Sequence, residues 1–199
     1  MKRRTQQVHV AGRTTLATVT SDPAVARRWV HTARWRKVGH LRSRAGLIVG
    51  MSVQWTPSFR RLSDGAEARP ATLQLCCGRR CLVFQIGRAG ASRVPLVLRR
   101  FLEDARVDFV GYNVLSDCSK LSAHYGLRVA CPQELRKVTV MGNSSMESMA
   151  EQVLGWRGVK KAERMGAGNW DVSTLSKKQV RYAATDAFVS YCLGVKCLK

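Results

Sequence analysis

The chain has 199 residues, 45% of them apolar, which suits a single domain with a substantial hydrophobic core and excludes a disordered chain. Its 34 Lys and Arg outnumber 13 Asp and Glu, and the resulting +21 favours polyanionic partners, nucleic acid before anionic membrane. No apolar leader follows Met1 and no apolar run approaches about 18 residues, so neither secretion nor a membrane span is expected.

Eleven of the basic side chains fall within residues 1–46, where Asp22 is the sole acid. That stretch reads either as a solvated basic face or as a contact for phosphate backbone. Val8-His-Val and Leu16-Ala-Thr-Val-Thr alternate like the two arms of a β-hairpin. Ser21-Asp22-Pro23 is a helix start, and the helix expected over about 23–37 has Val25, Trp29 and Ala33 as its apolar stripe. A long strand is expected over Leu47–Trp55. Its period of two sets Leu47, Val49, Met51, Val53 and Trp55 on one face, with Ile48, Gly50, Ser52 and Gln54 on the other. After a loop over 56–70, strands over 71–77 and 81–86 flank the Gly78-Arg-Arg turn and complete an antiparallel meander.

A short amphipathic helix is expected over 95–102, a buried strand at Phe109-Val-Gly, and a helix from about Ser116 to Tyr125. Asn143-Ser144-Ser-Met-Glu147 offers a capping box for a helix that Gly155 ends. Ser176-Lys-Lys-Gln179 offers a second, opening a last helix that runs to about Cys192. Cys76, Cys77 and Cys81 have no second ligand pair at zinc spacing and read as strand-core thiols. All seven cysteines are expected to be free, in a reducing compartment.

Two segments carry the chemistry. Phe109-Val-Gly-Tyr-Asn-Val-Leu-Ser-Asp117-Cys-Ser-Lys-Leu121 places Asp117 early on a helix that follows a strand. Leu175-Ser-Lys-Lys-Gln-Val-Arg-Tyr182-Ala-Ala-Thr-Asp186 sets Tyr182 and Asp186 four residues apart on one helix face. Singly, Asp117 reads as a helix N-terminal charge and the other two as ordinary helix-face residues. Together the segments resemble the second and third motifs of the DEDD-type 3'-5' exonucleases, in the Tyr-bearing, Werner-like subgroup and nearest to its plant members. Thr72-Leu-Gln-Leu-Cys, Tyr125-Gly-Leu, Val153-Leu-Gly and Trp170 follow in family order, and the resemblance spans about residues 16–195. It sets a basic N-terminal segment, 1–15, apart from an exonuclease-like domain, 16–199.

The resemblance implies a ribonuclease H-like α/β fold, a mixed central sheet flanked by helices. It implies Mg²⁺ or Mn²⁺ as cofactor, held by four carboxylates. Asp117 and Asp186 would be metal ligands, and Tyr182 would orient the attacking water. The first family motif is Asp-x-Glu on a strand, and here Ser52 and Gln54 occupy those positions. Asp64 or Glu67, in the loop that follows, are the acids that would have to substitute. Without substitution, losses of about 10³ or more in rate are expected.

The expected function is therefore nucleic-acid binding, to DNA or RNA, with phosphodiester hydrolysis impaired or lost. Arg60, Arg61, Lys120, Lys160, Lys161 and Arg181 are the expected phosphate contacts. The alternatives are an active, divergent metal-dependent 3'-5' exonuclease and a non-catalytic protein-interaction scaffold. Lys2-Arg-Arg4 fits a nuclear or cytoplasmic protein, and the acid-free first twenty-one residues also fit an organellar leader.

Overall fold

The computed structural model describes residues 3–36, 39, 46–57, 68–159, 166 and 168–198. Its elements in chain order are β1 (Arg4–Val10), β2 (Arg13–Thr20), α1 (Pro23–Arg36), β3 (Leu47–Trp55), β4 (Pro70–Cys77) and β5 (Arg80–Phe84). Then come α2 (Ile86–Ala89), a 3-10 turn (Ala91–Arg93), α3 (Leu96–Leu102), β6 (Val107–Gly111) and α4 (Val114–Tyr125). The chain ends with β7 (Cys131–Glu134), α5 (Leu135–Val138), α6 (Met146–Leu154) and α7 (Lys177–Leu198). The strands form one mixed sheet in the order β1-β2-β5-β4-β3-β6-β7. The β1–β2 hairpin and the β3–β4–β5 meander are antiparallel, whereas β2–β5, β3–β6 and β6–β7 are parallel.

Strand β3 lies inside this sheet, between β4 and β6, and is buried on both faces. Leu47, Val49, Met51 and Val53 pack with Trp29 of α1, Leu98 of α3 and Leu121 of α4. Ile48, on the other face, joins Val110 and the apolar residues of α7, among them Ala183, Ala187 and Leu193. Two cores thus share one sheet. Gly50 lets α7 lie directly on β3: a Cβ there would overlap the Ala187 carbonyl oxygen and the Tyr191 amide nitrogen.

Several expectations shift in detail. Residues 4–15 of the basic N-terminal segment supply β1 and the start of β2, and the Arg4 guanidinium donates to the Leu175 carbonyl at 2.8 Å. Ile86 begins α2 rather than ending β5. The helix expected from Ser116 starts at Val114, and the last helix continues past Cys192 to Leu198. The cap of α6 is Ser145, whose hydroxyl accepts from the Ser148 amide at 3.2 Å, one residue beyond the expected Ser144 box. Strand β7 has no counterpart among the expected elements. It contains Pro132, which lacks the amide a central strand needs, and it sits at the sheet edge where that loss is tolerated.

The Ser176–Gln179 box forms as expected: Gln179 N donates to Ser176 Oγ at 3.1 Å, and Ser176 N to Gln179 Oε1 at 2.9 Å. All seven cysteines are free, and Cys76, Cys77 and Cys81 are buried in β4 and β5. Among the described residues no helix is long and apolar enough to cross a membrane.

Candidate functional site

The period of two in β3 turns Ser52 and Gln54 toward α7, and both are buried to 8% exposure. Antiparallel pairing with β4 sets Gln74 opposite Ser52 and Thr72 opposite Gln54. Ser52 Oγ donates to Gln74 Oε1 at 3.0 Å, and Gln74 Nε2 donates to Thr72 Oγ1 at 2.6 Å. Gln54 reaches across to the helix: its Nε2 donates to Asp186 Oδ2 at 3.0 Å. The strand side of the site is therefore neutral and hydrogen-bonded.

The helix side carries the acids. Asp117 lies in the first turn of α4, where its amide bonds the Asn113 carbonyl at 3.2 Å. Asn113 precedes the helix with φ of 58°, a left-handed conformation that Asn tolerates better than most residues. Glu134, at the end of β7, holds that turn. Its Oε1 accepts from the Asn113 amide at 3.2 Å and its Oε2 from the Val114 amide at 3.1 Å. A carboxylate on a helix N-terminus satisfies two donors and complements the dipole. Nothing in the sequence around Asp117 points to Glu134, because the partner lies about twenty residues downstream.

Burial pushes the Asp117 carboxyl well above the usual carboxylate range. The Lys120 ammonium and the Val53 amide oppose that shift, while Asp186 and Glu134 add to it as like charges. Asp186 sits on α7 at 3% exposure, one turn past the half-buried Tyr182. The Tyr182 ring packs against Trp170 at 6.0 Å between centroids, and its hydroxyl lies beside Gly166. Thr56, just past β3, ties that loop down: Trp170 N donates to Thr56 Oγ1 at 2.8 Å and Thr56 Oγ1 to Asp171 Oδ2 at 2.8 Å.

Ser52, Gln54, Asp117, Tyr182 and Asp186 all line one cavity of about 400 Å³, with Tyr112, Asn113, Met146 and Ser190. The sequence reading named five of these residues and missed Gln74 behind Ser52 and Glu134 behind Asp117. Lys120 lies on the Asp117 helix, its ammonium 5.0 Å from the Trp55 ring centroid and 2.9 Å from Ser116 Oγ. Arg181 is exposed on α7. Arg60, Arg61, Lys160 and Lys161 lie outside the described residues, as do Asp64 and Glu67.

As a donor set for hard divalent cations, the described lining brings two buried carboxylates, Asp117 and Asp186, beside neutral hydroxyls and amides. Among the described residues no three His, Cys, Asp or Glu side chains are grouped to hold a metal ion. A pair of Mg²⁺ or Mn²⁺ ions calls for more anionic oxygen than this. The described residues do not fit a two-metal centre.

Comparison with known proteins matches residues 71–196 to the family model described as 3'-5' exonuclease. The match takes in Asp117, Tyr182 and Asp186 and begins after β3, the strand of Ser52 and Gln54. A 3'-5' exonuclease of Arabidopsis thaliana is 31% identical over 151 residues, covering 73% of this chain and 51% of the relative. The human exonuclease 3'-5' domain-containing protein 2 is 34% identical over 161 residues, 76% of this chain and 25% of that protein. The chain therefore spans about half or less of these curated relatives. In fold it is similar to the Trypanosoma brucei RNase D–RNA U12 complex, with a TM-score of 0.72, 13% identity, and 91% of this chain and 62% of that one covered.

Proposed function

The chain belongs to the 3'-5' exonuclease family, and we propose that it is a nucleic-acid-binding member whose own hydrolytic step is impaired or lost. One observation carries this reading: Gln54 Nε2 donates to Asp186 Oδ2 at 3.0 Å, in the position where the family resemblance implies a second carboxylate facing a shared metal. An amide N–H aimed at Asp186 fills with a neutral dipole the place of a cation, and Ser52 is likewise turned to Gln74. Asp117 and Asp186 could hold one divalent ion at most, and weakly.

What the residues can do is bind and orient. Burial raises the pKa of Asp117, which strengthens its hold on a proton. Lys120 and Arg181 supply positive charge toward a backbone entering the cleft, and this contact is sequence-independent and salt-sensitive. The alternative of an active, divergent enzyme draws its support from Asp117, Tyr182 and Asp186 sharing one cavity.

The test is digestion of a 5'-labelled single-stranded oligonucleotide in Mg²⁺ or Mn²⁺, by the native chain, Asp117→Asn/Asp186→Asn and Ser52→Asp/Gln54→Glu. The expected result is no shortening by the native chain and stepwise shortening from the 3' end by the Ser52→Asp/Gln54→Glu variant. Shortening by the native chain that disappears in the Asn variant would overturn the impaired reading in favour of the active one. Absence of any oligonucleotide binding at moderate salt would leave the scaffold alternative standing.

A further inference from the structure

A second cavity lies apart from the one that holds Asp117 and Asp186. It is a groove of about 830 Å³ between α1, β2 and the β4–β5 turn. In β2, Leu16 and Thr18 line it, while the alternate residues Ala17 and Val19 point into the core under α7. The groove therefore opens on the opposite face of the sheet from Ser52, Gln54 and Asp186.

Its rim is cationic. Arg3, Arg28, Arg36, Arg79 and Arg80 come from three separate segments and converge on it, and among the described residues no Asp or Glu lines it. Elsewhere in the molecule arginines find carboxylates: Arg34 and Arg106 pair with Asp104, and Arg157 with Glu151. Among the described residues none of the five groove arginines makes such a pair. Five guanidiniums around one depression repel one another unless an anion enters. The floor is apolar, with Trp29 buried beneath the rim. Trp35, three residues past the groove-lining Thr32 on the same helix face, stands 77% exposed.

Charged guanidiniums over an apolar floor, with an open indole at the edge, match a phosphodiester backbone whose bases are unpaired and free to stack. We propose that this groove is a second binding site for single-stranded nucleic acid, separate from the cleft. The strand runs its phosphates along the five arginines and lays a base on Trp35. Because the groove lies behind the sheet, its occupation needs neither a metal nor an intact cleft. Binding there is the same whether or not the cleft cuts.

The experiment measures fluorescence anisotropy of 5'-fluorescein-labelled oligodeoxythymidine and oligouridine across a KCl series, with a duplex of mixed sequence beside them. The proteins are the native chain, Arg28→Glu/Arg36→Glu, the milder Arg79→Ser/Arg80→Ser, Trp35→Ala and the pair Lys120→Ala/Arg181→Ala proposed above to serve the cleft, each checked by circular dichroism for a native melt. Each groove pair should weaken single-strand binding at least about tenfold and flatten the log–log salt slope by about 0.7 for every phosphate no longer neutralised. Trp35→Ala should weaken single strands about tenfold and leave the duplex unchanged. Groove variants that bind like the native chain, while Lys120→Ala/Arg181→Ala loses binding, would overturn the proposal and confine the strand to the cleft. No binding by the native chain would overturn it as well, whereas the outcome of the digestion experiment leaves it untouched.

Discussion

On the strand side of the cavity, Ser52, Gln74 and Thr72 bond to one another and Gln54 bonds to Asp186, so that wall is neutral and satisfied. On the helix side, Asp117 and Asp186 are the two buried acids among the described residues. Both walls are well packed, and they differ in chemistry alone. The packing that holds Asp117, Tyr182 and Asp186 in one cavity comes from α4, α7 and the Glu134 cap, and none of it depends on a charged β3.

Four variants would break or sharpen that contrast, from the largest effect to the smallest. Gly50→Ala forces α7 off β3 against backbone atoms of Ala187 and Tyr191. A loss of more than about 4 kcal/mol in urea unfolding is expected, and the two walls would no longer meet. Ser52→Asp/Gln54→Glu puts like charges against Asp186 in a buried site. Without metal it should cost about 3 kcal/mol of stability. Saturating Mn²⁺, at about a hundred times its dissociation constant, should return about 2.7 kcal/mol, read as a rise in Tm that the native chain does not share. An unchanged Tm in both conditions would mean that the walls are not close enough to cooperate.

Asp117→Asn sharpens the contrast through pH. Burial raises the folded-state pKa of this carboxyl above its unfolded value, with Lys120 offsetting part of the shift. Between the two values the folded chain holds a proton that the unfolded chain has released, so the native protein loses stability as pH rises through that window. The neutral Asn escapes that loss. Its Tm should exceed the native one at pH 7, and the gain should vanish as pH falls into the ordinary carboxylate range; a gain constant with pH would refute the assignment. Ser176→Ala, which removes the hydroxyl that caps α7, should cost about 1 kcal/mol and leave the charges of both walls in place.

Much of this molecule was legible one segment at a time. The alternation in Leu47–Trp55 already put Ser52 and Gln54 side by side on one face, and the strand has those bounds in the structure. The Ser176–Gln179 box marked the start of α7, and the four-residue interval put Tyr182 and Asp186 on one side of it. Such features are decided within a few residues, by the period of a strand, the turn of a helix or a side chain reaching its own backbone.

What the sequence could not determine involves partners far apart along the chain. The Gln54–Asp186 bond joins residues 132 positions apart, and the Glu134 cap, the edge strand β7 and the late end of α7 all depend on neighbours in space. The same holds for the basic surface. The excess of Arg announced a polyanion, but Arg4 bonds a carbonyl and Arg34 an Asp, while Arg3, Arg28, Arg36, Arg80 and Arg79, whose Nε also donates to the Thr14 carbonyl, line one groove. Charge is counted in the sequence. Where it converges is decided by sheet order and register, because those alone set which distant segments share a face.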